Sequence, residues 1–191
     1  MARIVDTPRA FGAGSIVLHW TVAALTVALI VTGYMMLGMV RGPAKAAMIA
    51  RHTDIGWAVA MILVLRIGWR VANPLPALSE ARPWENTLAR VVQWSMLGLL
   101  VVFAVTGYLS VATNPRLSTV SVLGWFELPR IDDPDRALHR GSEEIHSLLS
   151  HVFAAILLLH VAGTFKRSLI DRDGTLGRML WPRRDAPGAA E

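Results

Sequence analysis

This sequence predicts an all-α integral membrane protein, a bundle of four transmembrane helices with both termini in the cytoplasm, and three observations carry the prediction. Hydrophobic residues make up 53% of the 191-residue chain and charged residues only 17%, more apolar surface than a soluble domain of this size buries well, so a bilayer is the natural solvent. Four apolar runs each reach the roughly 20 helical residues needed to cross a hydrocarbon core. In lipid every backbone N–H and C=O must be satisfied internally, which open sheet edges cannot do, so the runs are helices.

The first run, 15–39, is too long for the apolar core of a signal peptide and lacks an evident small-residue cleavage site, so it is expected to remain as helix 1. The second, 47–71, carries Arg66 and Arg70 in its last turns, where long basic side chains snorkel to the interface. The third and fourth cover 88–112 and 144–166. A short connection makes helices 1 and 2 antiparallel neighbours. The segment ANPLPALSEARPWENT after helix 2 reads as a loop with a helix start near its end. The long connection, 113–142, holds an apolar patch, 120–128, with Trp125 and Phe126, and then the acidic stretch IDDPD. The patch is expected to lie along the outer interface as a lid; the plainer alternative is an irregular loop with interfacial aromatics. The whole chain, 1–191, reads as one membrane domain.

Basic residues orient the bundle. Twelve, from Arg3 and Arg9 through Arg66 and Arg70 to Arg183 and Arg184, lie in the tails, the second connection and the adjoining helix ends. Seven, from Arg41 to Arg140, lie in the first and third connections. The excess places both termini in the cytoplasm of a multi-pass protein. The net charge of +5 forms no single basic face, and arginines flanking apolar runs suit anionic lipid better than nucleic acid, which is not expected as a partner.

No cysteine is present, which excludes disulfides, thiolate zinc sites, iron–sulfur clusters and covalent haem attachment. Histidine or carboxylate must hold any metal. His146 and His160 stand fourteen residues apart on the fourth run, which leaves them within about 40° of one helix face and about 21 Å apart along the axis. With inward termini, His19 and His160 lie toward the cytoplasm, whereas His52 and His146 lie toward the outside. Each leaflet thus receives one pair drawn from two helices. Structural zinc wants four ligands. Iron in a porphyrin lacks only two, on opposite faces, and facing helices supply them. Two histidines also leave no open position, which favours outer-sphere electron transfer.

Any one intramembrane histidine is as readily an interhelical hydrogen-bonding residue; four matched in depth are harder to explain that way. His151 lies about 140° around the helix from His146 and is read as a helix contact or lipid-interface residue, and His139 as a solvated residue of the outer connection. Arg51 and Arg140 flank the outer pair, and Arg66 and Arg70 the inner one, as candidate partners of anionic propionates. Interfacial snorkelling and topology marking account better for any one of them alone. Gly33, Gly56, Gly68, Gly98 and Gly107 suit either close approach of a flat macrocycle or helix packing.

Helices 1 and 3 share a phrase. His19-Trp20, ten residues, then Val31-Thr32-Gly33-Tyr34 is matched by Gln93-Trp94, ten residues, then Val105-Thr106-Gly107-Tyr108. Both helices run in the same direction, so matching residues share a depth, as a duplicated two-helix unit would give. Gln93 is thereby placed level with His19, beside the inner pair.

These residues together resemble the bacterial cytochrome b561 family, four-helix membrane cytochromes. The resemblance covers nearly the whole chain: His19-Trp20, RHTDIGWAVAMILVLRIGWR, NPLP, the VTGY of helix 3, the fourteen-residue histidine spacing and the tail DRDGTLGRML. It implies two non-covalent haem b groups, the outer ligated by His52 and His146 and the inner by His19 and His160. It implies electron transfer between the outer side and membrane quinone, with ubiquinone as substrate and some members similar to superoxide:ubiquinone oxidoreductases. The donor is then superoxide or a periplasmic redox protein. A membrane-anchor subunit serving a separate dehydrogenase or hydrogenase is the alternative. One departure stands out: the family's helix 3 typically opens with two histidines three residues apart, where this chain has Arg90 and Gln93.

Overall fold

A computed structural model describes residues 3–8, 10–73, 76, 82–115, 120–131 and 136–182. Arg9, Arg116, Arg183, Arg184, Asp132, Asp133 and Asp135 of the acidic stretch, and most of the NPLP loop fall outside the described residues. The fold is a four-helix bundle: α1 (Ala13–Leu37), α2 (Pro43–Ala72), α3 (Pro83–Ala112) and α4 (Arg136–Phe165), the last continuing through a π-helical turn, Lys166–Ile170, before the short α5 (Thr175–Leu180). All four long helices are apolar and long enough to cross a membrane. Few of their residues are buried inside the protein, and side chains such as Val64 and Leu158 stay 71% exposed. That apolar exterior is the surface lipid covers.

The helices extend beyond the apolar runs. Helices α2, α3 and α4 begin at Pro43, Pro83 and Arg136, ahead of the expected 47, 88 and 144. Hydropathy marks only the part in hydrocarbon, while helix starts obey local chemistry. Proline at the first helical position sets α2 and α3, its missing N–H costing nothing there, and Glu85 faces the positive end of α3. His52 consequently lies in the third turn of α2, and His139 and Arg140 are helical.

Helix α1 packs most extensively on α2, and α3 on α4, with a looser seam between α2 and α3. Val22, Val59, Leu63, Leu100 and Phe153 form the buried centre. At the N-terminal end of α1, buried Asp6 accepts hydrogen bonds from Gly12 N at 2.7 Å and Ser15 Oγ at 2.6 Å, satisfying a donor that the helix leaves unpaired. Trp69 Nε1 donates to Ser15 Oγ at 3.0 Å, and its ring fills the space a side chain at Gly14 would take. The tail returns to the same end. Arg172 and Gly174 take left-handed backbone conformations that reverse the chain, and Trp20 Nε1 donates to Met179 O at 2.7 Å. Lys166 bridges Glu85 and Asp171, and buried Arg167 donates to Asn86 Oδ1 at 2.7 Å, joining α4 to the start of α3.

At the opposite end the expected apolar patch is a β-hairpin, with β1 (Val120–Val122) antiparallel to β2 (Phe126–Leu128). Leu123 and Gly124 both have positive φ and make the turn, as tight hairpins require. The hairpin is tied down: Leu123 N donates to Asp54 Oδ1 at 3.0 Å, Tyr108 Oη donates to Pro129 O at 2.9 Å, and Val122 is only 1% exposed. It is neither an irregular loop nor purely helical, because a β-rich run ended by Leu-Gly can close a local ladder outside the hydrocarbon. Trp125 at its tip is 83% exposed.

Candidate metal centres

The four histidines form two pairs at opposite ends of the bundle. At the hairpin end, His52 of α2 faces His146 of α4 with ring centroids 6.2 Å apart and planes at 73°. At the tail end, His19 of α1 faces His160 of α4 at 6.4 Å and 55°. A metal–imidazole bond of about 2.0 Å plus about 1.1 Å from nitrogen to ring centre sets centroids of two trans imidazoles about 6.2 Å apart. Both pairs match that separation. Among the described residues no three His, Asp or Glu side chains gather as a metal site; each pair offers two imidazoles, the number of donors a porphyrin-held iron lacks.

At the hairpin end each ring is held by a threonine. His52 Nδ1 lies 2.9 Å from Thr32 Oγ1, and His146 Nδ1 lies 2.9 Å from Thr106 Oγ1. Each hydroxyl donates back along its own helix, Thr32 to Ala28 O at 2.8 Å and Thr106 to Val102 O at 2.9 Å. With the hydroxyl hydrogen on that carbonyl, the oxygen can accept from an Nδ1–H, the tautomer that leaves Nε2 with its lone pair. The glycine after each threonine faces the same ring: a Cβ at Gly33 would meet His52 Cε1 at 3.6 Å, and one at Gly107 would meet His146 Cε1 at 3.5 Å. Phe103 packs edge-on against His146 at 5.0 Å and against Phe153 at 5.7 Å, linking this end to the core.

The tail end is built differently. Arg66 Nη2 lies 3.0 Å from His19 Nδ1, and Trp20 packs edge-on against His19 at 5.3 Å. Arg70 is half-buried, with its guanidinium 6.0 Å from the Phe11 ring centre. Arg51 and Arg140 are exposed, as are Arg90 and Gln93; the shared phrase sets Gln93 at the level of His19, and rotation of α3 turns it outward. His139, expected in solvent, is half-buried on α4, with Nδ1 3.2 Å from Thr113 Oγ1 and Nε2 3.7 Å from Glu143. His151 is exposed and stacks edge-on with Tyr34 at 5.8 Å.

Thr32 and Thr106 were not singled out by the sequence, although the signal was present. The repeated Val-Thr-Gly-Tyr had value there only as a depth marker, whereas in the fold it is the part of α1 and α3 that touches the hairpin-end histidines.

Four membrane helices enclosing two facing histidine pairs define a membrane electron-transfer protein of the b-type cytochrome class. The chain matches the family described as prokaryotic cytochrome b561 over residues 10–182, and it belongs to that family, which implies haem b as its cofactor. It is similar to cytochrome b561 homolog 2 of Escherichia coli (strain K12), 28% identical over 179 residues covering 92% of this chain and 93% of that protein.

Proposed function

We propose that this chain binds two haem b groups, one at each histidine pair, and passes electrons between the outer face of a bacterial inner membrane and quinone in the bilayer. The observation that carries the reading is the spacing of the two pairs, 6.2 and 6.4 Å between ring centres, at levels about 21 Å apart along α4. His52 and His146 would hold the haem at the hairpin end, and His19 and His160 the one at the tail end. Bound in this way, haem supplies one-electron iron chemistry with no open coordination position. Arg66 and Arg70 meet anionic propionates at the tail end, and Arg51 and Arg140 serve at the hairpin end.

Superoxide suits the outer reductant. Two superoxide ions each give up one electron and leave as dioxygen, and ubiquinone takes the two electrons with two protons to become ubiquinol. Arg51, Arg140 and Lys45 draw a small anion to the hairpin face, against the opposing charge of Glu143 and Glu144. The deciding experiment is a dithionite-reduced minus oxidised spectrum of the detergent-purified protein with a pyridine haemochrome count. Two low-spin b haems per chain are expected, reducible by superoxide or ubiquinol; colourless protein sinks the reading.

Both termini are cytoplasmic in this proposal, and the hairpin faces the periplasm. The chain has no cysteine, so single introduced thiols report cleanly. A membrane-impermeant maleimide added to spheroplasts should label Ser121→Cys and leave Arg178→Cys unlabelled until the membrane is opened. The reverse pattern inverts the assignment.

A further inference from the structure

The two Val-Thr-Gly-Tyr phrases are related by more than sequence. They sit on different helices, yet each meets a different histidine with the same contacts: a 2.9 Å approach of Thr Oγ1 to Nδ1 and a glycine whose missing side chain would touch Cε1 at 3.6 or 3.5 Å. Helix α1 thus grips the ring from α2, and α3 grips the ring from α4. Such a match is what a duplicated helix pair gives when the duplicated phrase has a task.

We infer that Thr32 and Thr106 are positioning residues for the hairpin-end haem, each holding its histidine as the Nδ1–H tautomer with the ring turned so that Nε2 faces the metal. The inference rests on the dihaem reading and adds to it a difference between the two ends. Each threonine is a one-way device. Its oxygen lies within hydrogen-bond distance of carbonyls of its own helix, and with its hydrogen given to one of these it accepts from the ring. An imidazole that donates from Nδ1 becomes a more basic ligand at Nε2 and favours ferric iron over ferrous. Glycine next to the threonine leaves the ring edge clear; alanine would sit at ordinary contact, and a larger side chain would push the ring off its axis. At the tail end Arg66, and not a threonine, stands beside the Nδ1 of His19, so this threonine control acts on the hairpin-end haem alone.

The test uses the haem-loaded protein with Thr32→Val, Thr106→Val, the double variant and the matching serine variants. His146→Ala identifies which redox wave and which low-spin EPR signal belong to the hairpin end. Valine keeps the shape and removes the acceptor. The expected result is an upward shift of the hairpin-end midpoint potential, larger in the double variant, with an altered EPR anisotropy and an unchanged tail-end haem. A tenfold preferential weakening of ferric binding corresponds to about 59 mV. Retention of the hairpin-end haem against apomyoglobin should fall about 10- to 100-fold, and serine should restore all three readouts. The inference is overturned if the valine variants keep two haems with an unmoved hairpin-end potential and EPR signal, or if both haems shift alike, which marks general loosening of the bundle. A wild-type protein with fewer than two haems overturns both this inference and the reading beneath it.

Discussion

His146→Ala is expected to halve the haem content of the purified protein, removing the hairpin-end haem and leaving the tail-end one with its spectrum and potential intact. The selectivity follows from placement. His146 faces His52 at 6.2 Å and is distant from the tail-end pair by about four turns of α4. On the proposed ligation, alanine at this half-buried position removes one of two protein donors, and imidazole from His52 alone cannot hold a low-spin iron. His160→Ala should do the converse. Ligands that bind only the folded state also stabilise it, so each variant should melt at a lower temperature than the parent in detergent. Pyridine haemochrome assay and redox titration of both variants check the prediction. Equal loss of both haems in each, with helicity retained by circular dichroism, would break the pairing of His52 with His146 and His19 with His160.

The second large effect is on transmembrane electron flow. Proteoliposomes holding an electron acceptor inside and a reductant outside should turn over with the parent protein and fall to the rate of protein-free vesicles with either His146→Ala or His160→Ala. The two histidine levels are about 21 Å apart, and electron tunnelling decays exponentially with distance, so one remaining haem leaves a gap that the apolar centre of Val22, Leu63, Leu100 and Phe153 cannot bridge. Each variant keeps a redox-active haem, so a chemical reductant still bleaches it in detergent. That contrast separates a broken wire from an unfolded protein. Flow persisting in either variant would mean that the two haems do not act in series.

Much of this was legible in the chain, and the legible parts share a physical origin. The four spans follow from runs of apolar residues, because solvation by lipid is a property of a segment and its length. The common face of His146 and His160 follows from the helical repeat, which depends on fifteen contiguous positions and nothing outside them. The limits of the helices were less legible: α4 starts at Arg136, in polar sequence, because helical hydrogen bonding continues where hydrophobicity stops. The hairpin was missed because three-residue strands give too little alternation to register, and its anchor, Asp54, lies 69 positions from Leu123.

Composition and periodicity alone determined the membrane fold, the level of each histidine along its helix and the exclusion of thiolate donors, since these depend on local repeats and on which residue types are present. Only the tertiary structure decided that the rings face each other with centres 6.2 and 6.4 Å apart, that Arg66 reaches His19 while Gln93 turns away, and that Thr32 and Thr106 contact the hairpin-end pair. Those contacts join residues 20 to 141 positions apart. They depend on the rotation of each helix about its own axis, which the packing of all four sets and no single segment encodes.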